Sequence, residues 1–433
     1  MQNDKSLVDF SPESNVASPL ESSIPQAHLS AQSPALPKKP RLNAKLLRRI
    51  FVAASIRRWN DQACPVEFVE LDKQAHKMVI AYLFAKYEEI DGREIDWERL
   101  IEYFCFDFFE RVVLTDIKPP VFHELQKLHR KELASFVTRE LRGDLCEYEF
   151  FSSLDHYFKH PPHNIEKQIL QAAHYYASKW EFDIIHHFNP TMFDVGNIKA
   201  IIDKEVEKHY NLQGMKQVVL FKQFSEIITM FGQLRFQKRW SQTPRVPATS
   251  VLGHTLVVAL CGYLLSLDMP SCKQMRINHF LGGLFHDLPE ILTRDIISPI
   301  KTSIAGLDEQ IKQIEVRAVE EKILAHLPES ICADIVYFTQ NEFVNRYRIE
   351  DFTHYTKDSN ELFARYNSDE YNPVCGEFLK VCDHLSAFLE ARISIAHGIS
   401  SHDLIQGARG ILDKRKDTQI CGLDLGALFR DFV

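Results

Sequence analysis

The sequence lacks several features that would assign it to other classes of protein. It contains no Cys-x-x-Cys motif, and its nine cysteines stand singly and are odd in number. Reduced thiols in a cytosolic protein are the simplest interpretation, so we expect a cytoplasmic location. An extended basic block is also missing and the net charge is -8. General affinity for nucleic acid is therefore not expected.

A long apolar run is missing as well. The most apolar stretch, residues 255–267, is too short to span a bilayer and contains Gly262, and no apolar signal region begins the chain. We interpret this stretch as a buried core helix and expect no membrane partner. The chain has 433 residues, of which 45% are hydrophobic and 25% charged, as in an ordinary globular protein of two or three domains.

Strand-like alternation is nearly absent, and apolar residues recur instead at three- and four-residue spacing. Residues 1–42, rich in Ser, Pro, Ala and Gln, are predicted to form a disordered tail. Helices are predicted at residues 44–55, 73–87, 97–113, 122–142, 165–187, 217–236, 251–267, 307–327 and 377–397. The polar and aromatic segment 341–373 is predicted to be a long excursion or a lid. The sequence thus predicts an all-α fold.

Four potential metal ligands stand on, or at the end of, predicted apolar helices. They are His254, the adjacent pair His286 and Asp287, and Asp383. Helical bundles build metal sites from inward-facing side chains of this kind. Mixed nitrogen and oxygen ligands suit one divalent ion, such as Mn, Co, Fe, Ni, Zn or Mg, better than a thiolate-type zinc site. The residues alone leave open that these are helix-face residues turned towards water.

In this order and context, the four ligands make the sequence resemble the HD-domain metal-dependent phosphohydrolases, and among them the bacterial HD-domain 5'-deoxynucleotidases. The family pattern is a His, then a His-Asp pair, then a distant Asp. The segment Lys238-Arg239-Trp240 also resembles the family's Arg-Trp substrate-binding pair. One departure is Gly253, where the nucleotidases tend to have an acidic residue, and this leaves the substrate preference open.

The resemblance implies hydrolysis of a phosphomonoester, with a nucleoside monophosphate as substrate. It implies metal binding by His254, His286, Asp287 and Asp383, catalytic roles for Glu290 and Asp287, and substrate binding by Arg239, Trp240, Asp295 and Lys301. It is also compatible with a homodimer. Two alternatives remain: a regulatory protein that binds a nucleotide with little turnover, and cleavage of cyclic dinucleotides. The second is disfavoured because that subfamily's glycine-rich extension does not follow the motif.

The first half of the chain carries similar motifs in the same order. Arg57-Arg58-Trp59 resembles Lys238-Arg239-Trp240, His76 precedes an apolar run as His254 does, and Asp107 stands 180 residues before Asp287. We therefore predict two tandem HD-like bundles, a degenerate one at residues 43–215 and a catalytic one at residues 216–433.

The predicted first copy departs from the motif at two positions. Phe106 takes the place of the motif histidine and His174 that of the final aspartate. A metal-free half that supports catalysis or senses a ligand is the preferred interpretation. A three-ligand site of His76, Asp107 and His174 is one alternative, and a chance echo of helical composition is another.

Overall fold

Helices make up most of the chain, which confirms the all-α prediction. The computed structural model describes residues 37–115, 117–294, 304 and 306–432. Within these residues, strands form only three short antiparallel pairs: β1 (Arg57–Arg58) with β2 (Phe68–Val69), β3 (Asn345–Ile349) with β4 (Phe352–Thr356), and β5 (Gln419–Ile420) with β6 (Leu423–Asp424).

The helices of the first half include two long central ones, α2 and α6, that pack against each other. In chain order they are α1 (Ala44–Val52), α2 (Glu70–Ile90), α3 (Trp97–Leu114), α4 (Pro119–Leu145), α5 (Phe151–Lys159), α6 (Ile165–Phe188), α7 (Val195–Glu207), α8 (Gln213–Leu220) and α9 (Lys222–Gln233).

The described helices of the second half surround α10. They are α10 (Val251–Ser266), α11 (Lys273–Phe285), α12 (Glu290–Thr293), α13 (Leu307–Lys322), α14 (Glu329–Thr339), α15 (Ser359–Arg365), α16 (Gly376–Ala396), α17 (His402–Arg415) and α18 (Gly426–Arg430). Every residue of α10 is buried, because α2, α11 and α16 all pack around it. A helix that is apolar on all sides requires such a position.

A glycine brings the two helices that carry His254 and His286 into close contact. A Cβ atom on Gly283 of α11 would lie 2.7 Å from the backbone nitrogen of Ala259 in α10. Only a residue without a side chain permits this approach. The contact sets the separation of α10 and α11, and through it the position of the histidines.

Three local predictions differ from the structure. The predicted helix 217–236 is divided into α8 and α9, because Phe221 adopts an extended conformation with φ of -122°. The predicted excursion at 341–373 contains the β3–β4 hairpin and α15. Pro119, predicted to break a helix, instead begins α4, since the first helical turn needs no N–H from its leading residues.

One hydrophobic core runs through both halves of the described chain, and the packing of α2 on α10 joins them. The last residues of the predicted tail also pack on the second half: the Lys38 N–H donates to the Gly422 carbonyl at 2.8 Å, and Arg41 pairs with Asp268. Residues 1–36 lie outside the described residues. Among the described helices, none has the length and apolarity needed to cross a membrane.

Candidate metal centre

His254 reaches the centre of the second half from the first turn of α10. The helix begins after Ser250, whose hydroxyl oxygen accepts the Gly253 N–H at 2.9 Å. Serine is a favoured residue at this capping position. The His254 ring is fully buried, and its Nε2 atom lies 3.2 Å from Oδ1 of Asp383 on α16.

His286 and Asp287 follow the end of α11. The His286 Nδ1–H donates to the Gly283 carbonyl at 2.8 Å, which turns Nε2 towards the centre of the site. The Asp287 Oδ2 atom lies 3.2 Å from His286 Nε2 and 3.8 Å from His254 Nε2. The adjacent pair therefore presents a nitrogen and an oxygen to the same point.

Three helices thus bring the four predicted ligands together. The donor atoms of His254, His286 and Asp383 lie within 4.8 Å of one another, and Asp287 borders them. The buried atoms His286 Nε2 and Asp287 Oδ2 find no hydrogen-bond partner among the described residues. Buried polar atoms are rarely left so, and a cation between them would satisfy both. These residues fit a divalent ion.

Both histidines also have their second ring nitrogen fixed. Nδ1 of His254 lies 3.0 Å from Ser386 Oγ and 3.4 Å from Glu390 Oε1, while Nδ1 of His286 bonds the Gly283 carbonyl. A proton on each Nδ1 leaves the Nε2 lone pair directed at the centre. Metal-binding histidines are typically oriented by such partners.

The charges around the centre favour a cation. Burial alone would lower the pKa of His254, but hydrogen bonds with Asp383 and Glu390 raise it to about 9. Burial would raise the pKa of Asp287, yet His286, Arg239 and His254 hold it well below its usual range. His254 and Lys380 do the same for Asp383. The carboxylates that retain a proton on His254 are equally suited to hold a metal ion.

A comparison with known families matches this part of the chain. Residues 231–412 match the family model described as HD domain, and this range contains all four predicted ligands. The chain belongs to the HD-domain superfamily. No solved structure matches the chain.

Curated relatives of the HD domain are named 5'-deoxynucleotidases. The chain is 27% identical to one from Photobacterium profundum over 172 residues, which are 39% of this chain and 86% of that protein. It is 26% identical to one from Cronobacter sakazakii over 166 residues, 38% of this chain and 74% of that protein. A 5'-deoxynucleotidase from Vibrio atlanticus is 27% identical over 28% of this chain and 64% of its own length.

The predicted substrate-binding pair lies beside the ligands of the HD domain, but its two members differ in position. Arg239 Nη1 lies 3.7 Å from Asp287 Oδ2, at the edge of the cluster. The Trp240 ring packs on Gly407 of α17, and its Nε1–H donates to Glu390 Oε2 at 3.0 Å. Arg239 is placed to meet a substrate, whereas the visible contacts of Trp240 anchor the loop.

Glu290 borders a cavity of about 150 Å³ next to His286 and Asp287. It is the first residue of α12, and its backbone carbonyl accepts a hydrogen bond from Gln237 at 3.1 Å. The predicted substrate ligands Asp295 and Lys301 lie outside the described residues.

The sequence did not assign a role to Glu390, although this residue connects most of the site. Oε1 accepts the Thr249 hydroxyl at 2.9 Å and lies 3.4 Å from His254 Nδ1, while Oε2 accepts the Trp240 N–H. Its spacing was a usable signal. Asp383, Ser386 and Glu390 follow one another at three and four residues, so they share one face of α16.

Proposed function

We propose that this protein is a metal-dependent phosphohydrolase that removes phosphate from a nucleoside 5'-monophosphate. The observation that carries the proposal is the convergence of two histidine Nε2 atoms with Asp383 and Asp287, where both Nδ1 atoms are already engaged. Such a set of nitrogen and oxygen donors is typical of catalytic sites for divalent ions.

His254, His286, Asp287 and Asp383 would hold the ion. When bound, it supplies Lewis-acid polarisation of a phosphoryl oxygen and makes water more acidic. The identity of the ion among Mn, Co, Fe, Ni, Zn and Mg is a matter for measurement.

Arg239 and Glu290 supply complementary functions around the ligands. The planar guanidinium of Arg239, 3.7 Å from Asp287, can hold two phosphate oxygens at once, which a lysine cannot reproduce. Glu290 is largely buried beside the same cavity, and it can accept a proton from the attacking water or return one to the leaving oxygen.

The cavity beyond the ligands favours the nucleoside part of such a substrate. Its walls carry the carboxylates of Asp308, Glu315, Glu320 and Glu342 and the single ammonium group of Lys312. Carboxylates repel a second phosphate but accept hydrogen bonds from sugar hydroxyls and base amino groups. Together with the relatives named 5'-deoxynucleotidase, this lining supports a monophosphate, and the deoxy form is the first to test.

A phosphate-release screen tests the proposal. The panel contains 2'-deoxy and ribo forms of nucleoside 5'-monophosphates, with 3'-monophosphates as positional controls, each with added Mn²⁺ or Co²⁺. We expect release from 5'-monophosphates and a loss of at least about 10³-fold in kcat/KM for Asp287→Ala, because it removes a ligand of the ion. The matched control is Asp413→Ala on exposed α17, which should retain full activity.

Two outcomes would overturn the proposal. Nucleotide binding without phosphate release by the metal-loaded chain would favour the regulatory alternative. Equal activity of Asp287→Ala and the unaltered chain would remove the metal centre from the reaction.

A further inference from the structure

The two halves of the chain open with the same backbone arrangement. Arg57 pairs with Val69 in the antiparallel β1–β2 strands, and Lys238 pairs with Ser250 in an antiparallel bridge. Both members of the second pair lie 181 residues after their counterparts, at 57 to 238 and 69 to 250. Helix α2 begins directly after Val69, as α10 begins directly after Ser250.

A tryptophan with an unusual conformation follows in each half. Trp59 and Trp240 have φ values of 56° and 54°, which bulky residues seldom adopt, and they too are 181 residues apart. Each donates its Nε1–H to a buried glutamate, Trp59 to Glu181 at 2.8 Å and Trp240 to Glu390 at 3.0 Å. Helical composition alone does not generate this repeated contact.

These anchors identify the residue that is equivalent to His254. The fourth residue of α10 is His254 and the fourth residue of α2 is Lys73. Asp383 stands seven residues before Glu390, and His174 stands seven before Glu181. Accordingly, Lys73 Nζ contacts His174 Nδ1, as His254 Nε2 contacts Asp383.

His76, which the sequence pattern aligned with His254, has other contacts. Its Nε2 atom lies 2.9 Å from the Ile228 carbonyl and its Nδ1 atom 3.3 Å from Arg235. It does not join Asp107 and His174 in a group of metal ligands within the described residues. The alignment of the halves is therefore three residues away from the one that the apolar run suggested.

Lysines also surround the aspartate that corresponds to Asp287. Lys77 Nζ lies 2.9 Å and Lys167 Nζ 2.8 Å from the Asp107 carboxylate, which also accepts the Tyr157 hydroxyl at 2.7 Å. Burial would raise the pKa of Asp107, but Lys167 and Lys77 hold it well below its usual range. The carboxylate is thus already neutralised by cations of the chain.

We propose that the first half is an internal copy of the HD ligand cluster in which the side chains of Lys73, Lys77 and Lys167 fill the place of the metal ion. The chain then binds one ion, in the second half only. The inference does not depend on the proposed phosphatase activity, because it concerns the contents of the first-half cluster.

Metal counting in the first half alone tests this. In a full chain with His286→Ala and Asp287→Ala, equilibrium dialysis against Mn²⁺ should find less than about a tenth of an ion per chain. Lys73→His, Lys77→Val, Phe106→His and His174→Asp, added to that background, install the second-half residue at each equivalent position. We expect this variant to bind about one ion, because Asp107 then completes a ligand set without competing lysines. One ion per chain in the unreverted background would overturn the proposal.

A second measurement does not require the reverted variant to fold. If Lys77 neutralises Asp107, Lys77→Met and Asp107→Asn should each lower the unfolding midpoint, while the double variant should lose less than the sum of the two. Purely additive losses would overturn the replacement of the ion by lysine. Absence of Mn²⁺ from the unaltered chain would count against the second-half metal centre, and leaves these two measurements on the first half decisive for the internal copy.

Discussion

Glu390 shows how a single buried carboxylate orders several functional groups. Its two oxygens accept hydrogen bonds from Thr249 and Trp240, and the first also faces Nδ1 of His254. Burial would raise the pKa of Glu390, but His254, Arg245 and Arg239 lower it to about 2. The carboxylate therefore stays ionised and can hold the His254 proton on Nδ1, which leaves Nε2 available to a ligand.

Replacement of Glu390 by Gln should weaken metal binding by about 10- to 100-fold. The amide offers an acceptor at only one of its two positions, so its NH₂ group must face either the Trp240 N–H or the His254 Nδ1–H. Titration calorimetry with Mn²⁺ measures the change. The control is Glu370→Gln, the same chemical change at an exposed position. An unchanged dissociation constant for Glu390→Gln would show that this contact does not orient His254.

At the scale of elements, α2 and α10 meet where Asp72 fills the space beside Gly253. A Cβ atom on Gly253 would lie 2.7 Å from Asp72 Oδ1 and 3.0 Å from Leu71 Cδ2. The Asp72 carboxylate is held there because it accepts the Ser250 hydroxyl at 2.6 Å. The first half thus contributes a side chain to the capped end of the helix that carries His254.

Gly253→Ala should destabilise the protein by about 1–3 kcal/mol, because the added methyl group overfills this joint. Urea unfolding measures the loss. Gly410→Ala is the matched control: its Cβ atom meets nothing within 4 Å, so this helical position should be unaffected or gain up to about 1 kcal/mol. The double variant Asp72→Ala/Gly253→Ala should recover part of the loss. Equal effects at Gly253 and Gly410 would contradict the crowding.

For the whole molecule, the continuous core predicts that the two halves unfold together. Three of the four tryptophans, Trp59, Trp97 and Trp180, lie in the first half, so Trp240→Phe leaves fluorescence reporters only there. Mn²⁺ at about 100 times its dissociation constant should stabilise the chain by about 2.7 kcal/mol and raise the midpoint that these tryptophans report.

The control for this experiment is Trp240→Phe combined with Asp287→Ala, which should show no such rise with Mn²⁺. A fluorescence midpoint that ignores Mn²⁺, while circular dichroism shows a second transition that responds to it, would mean that the halves unfold separately.

By itself, the sequence determined the helical class, most long helices and the ligands of the second half. Apolar spacing is a local property, and the His, His-Asp and Asp motifs lie in the range that matches the HD domain. The sequence failed where the outcome depends on partners far along the chain. The division at Phe221 and the β3–β4 hairpin are examples, since weak periodicity does not specify their backbone.

Only the tertiary structure decided the register of the first half and the role of Glu390. His76 and Lys73 both precede apolar runs on one helix, and the choice between them depends on contacts with α6, about 100 residues away. Glu390 gains its importance from Thr249 and Trp240, about 140 and 150 residues before it. Periodicity identifies which face of a helix is buried, but the side chains that meet across that face are fixed by packing.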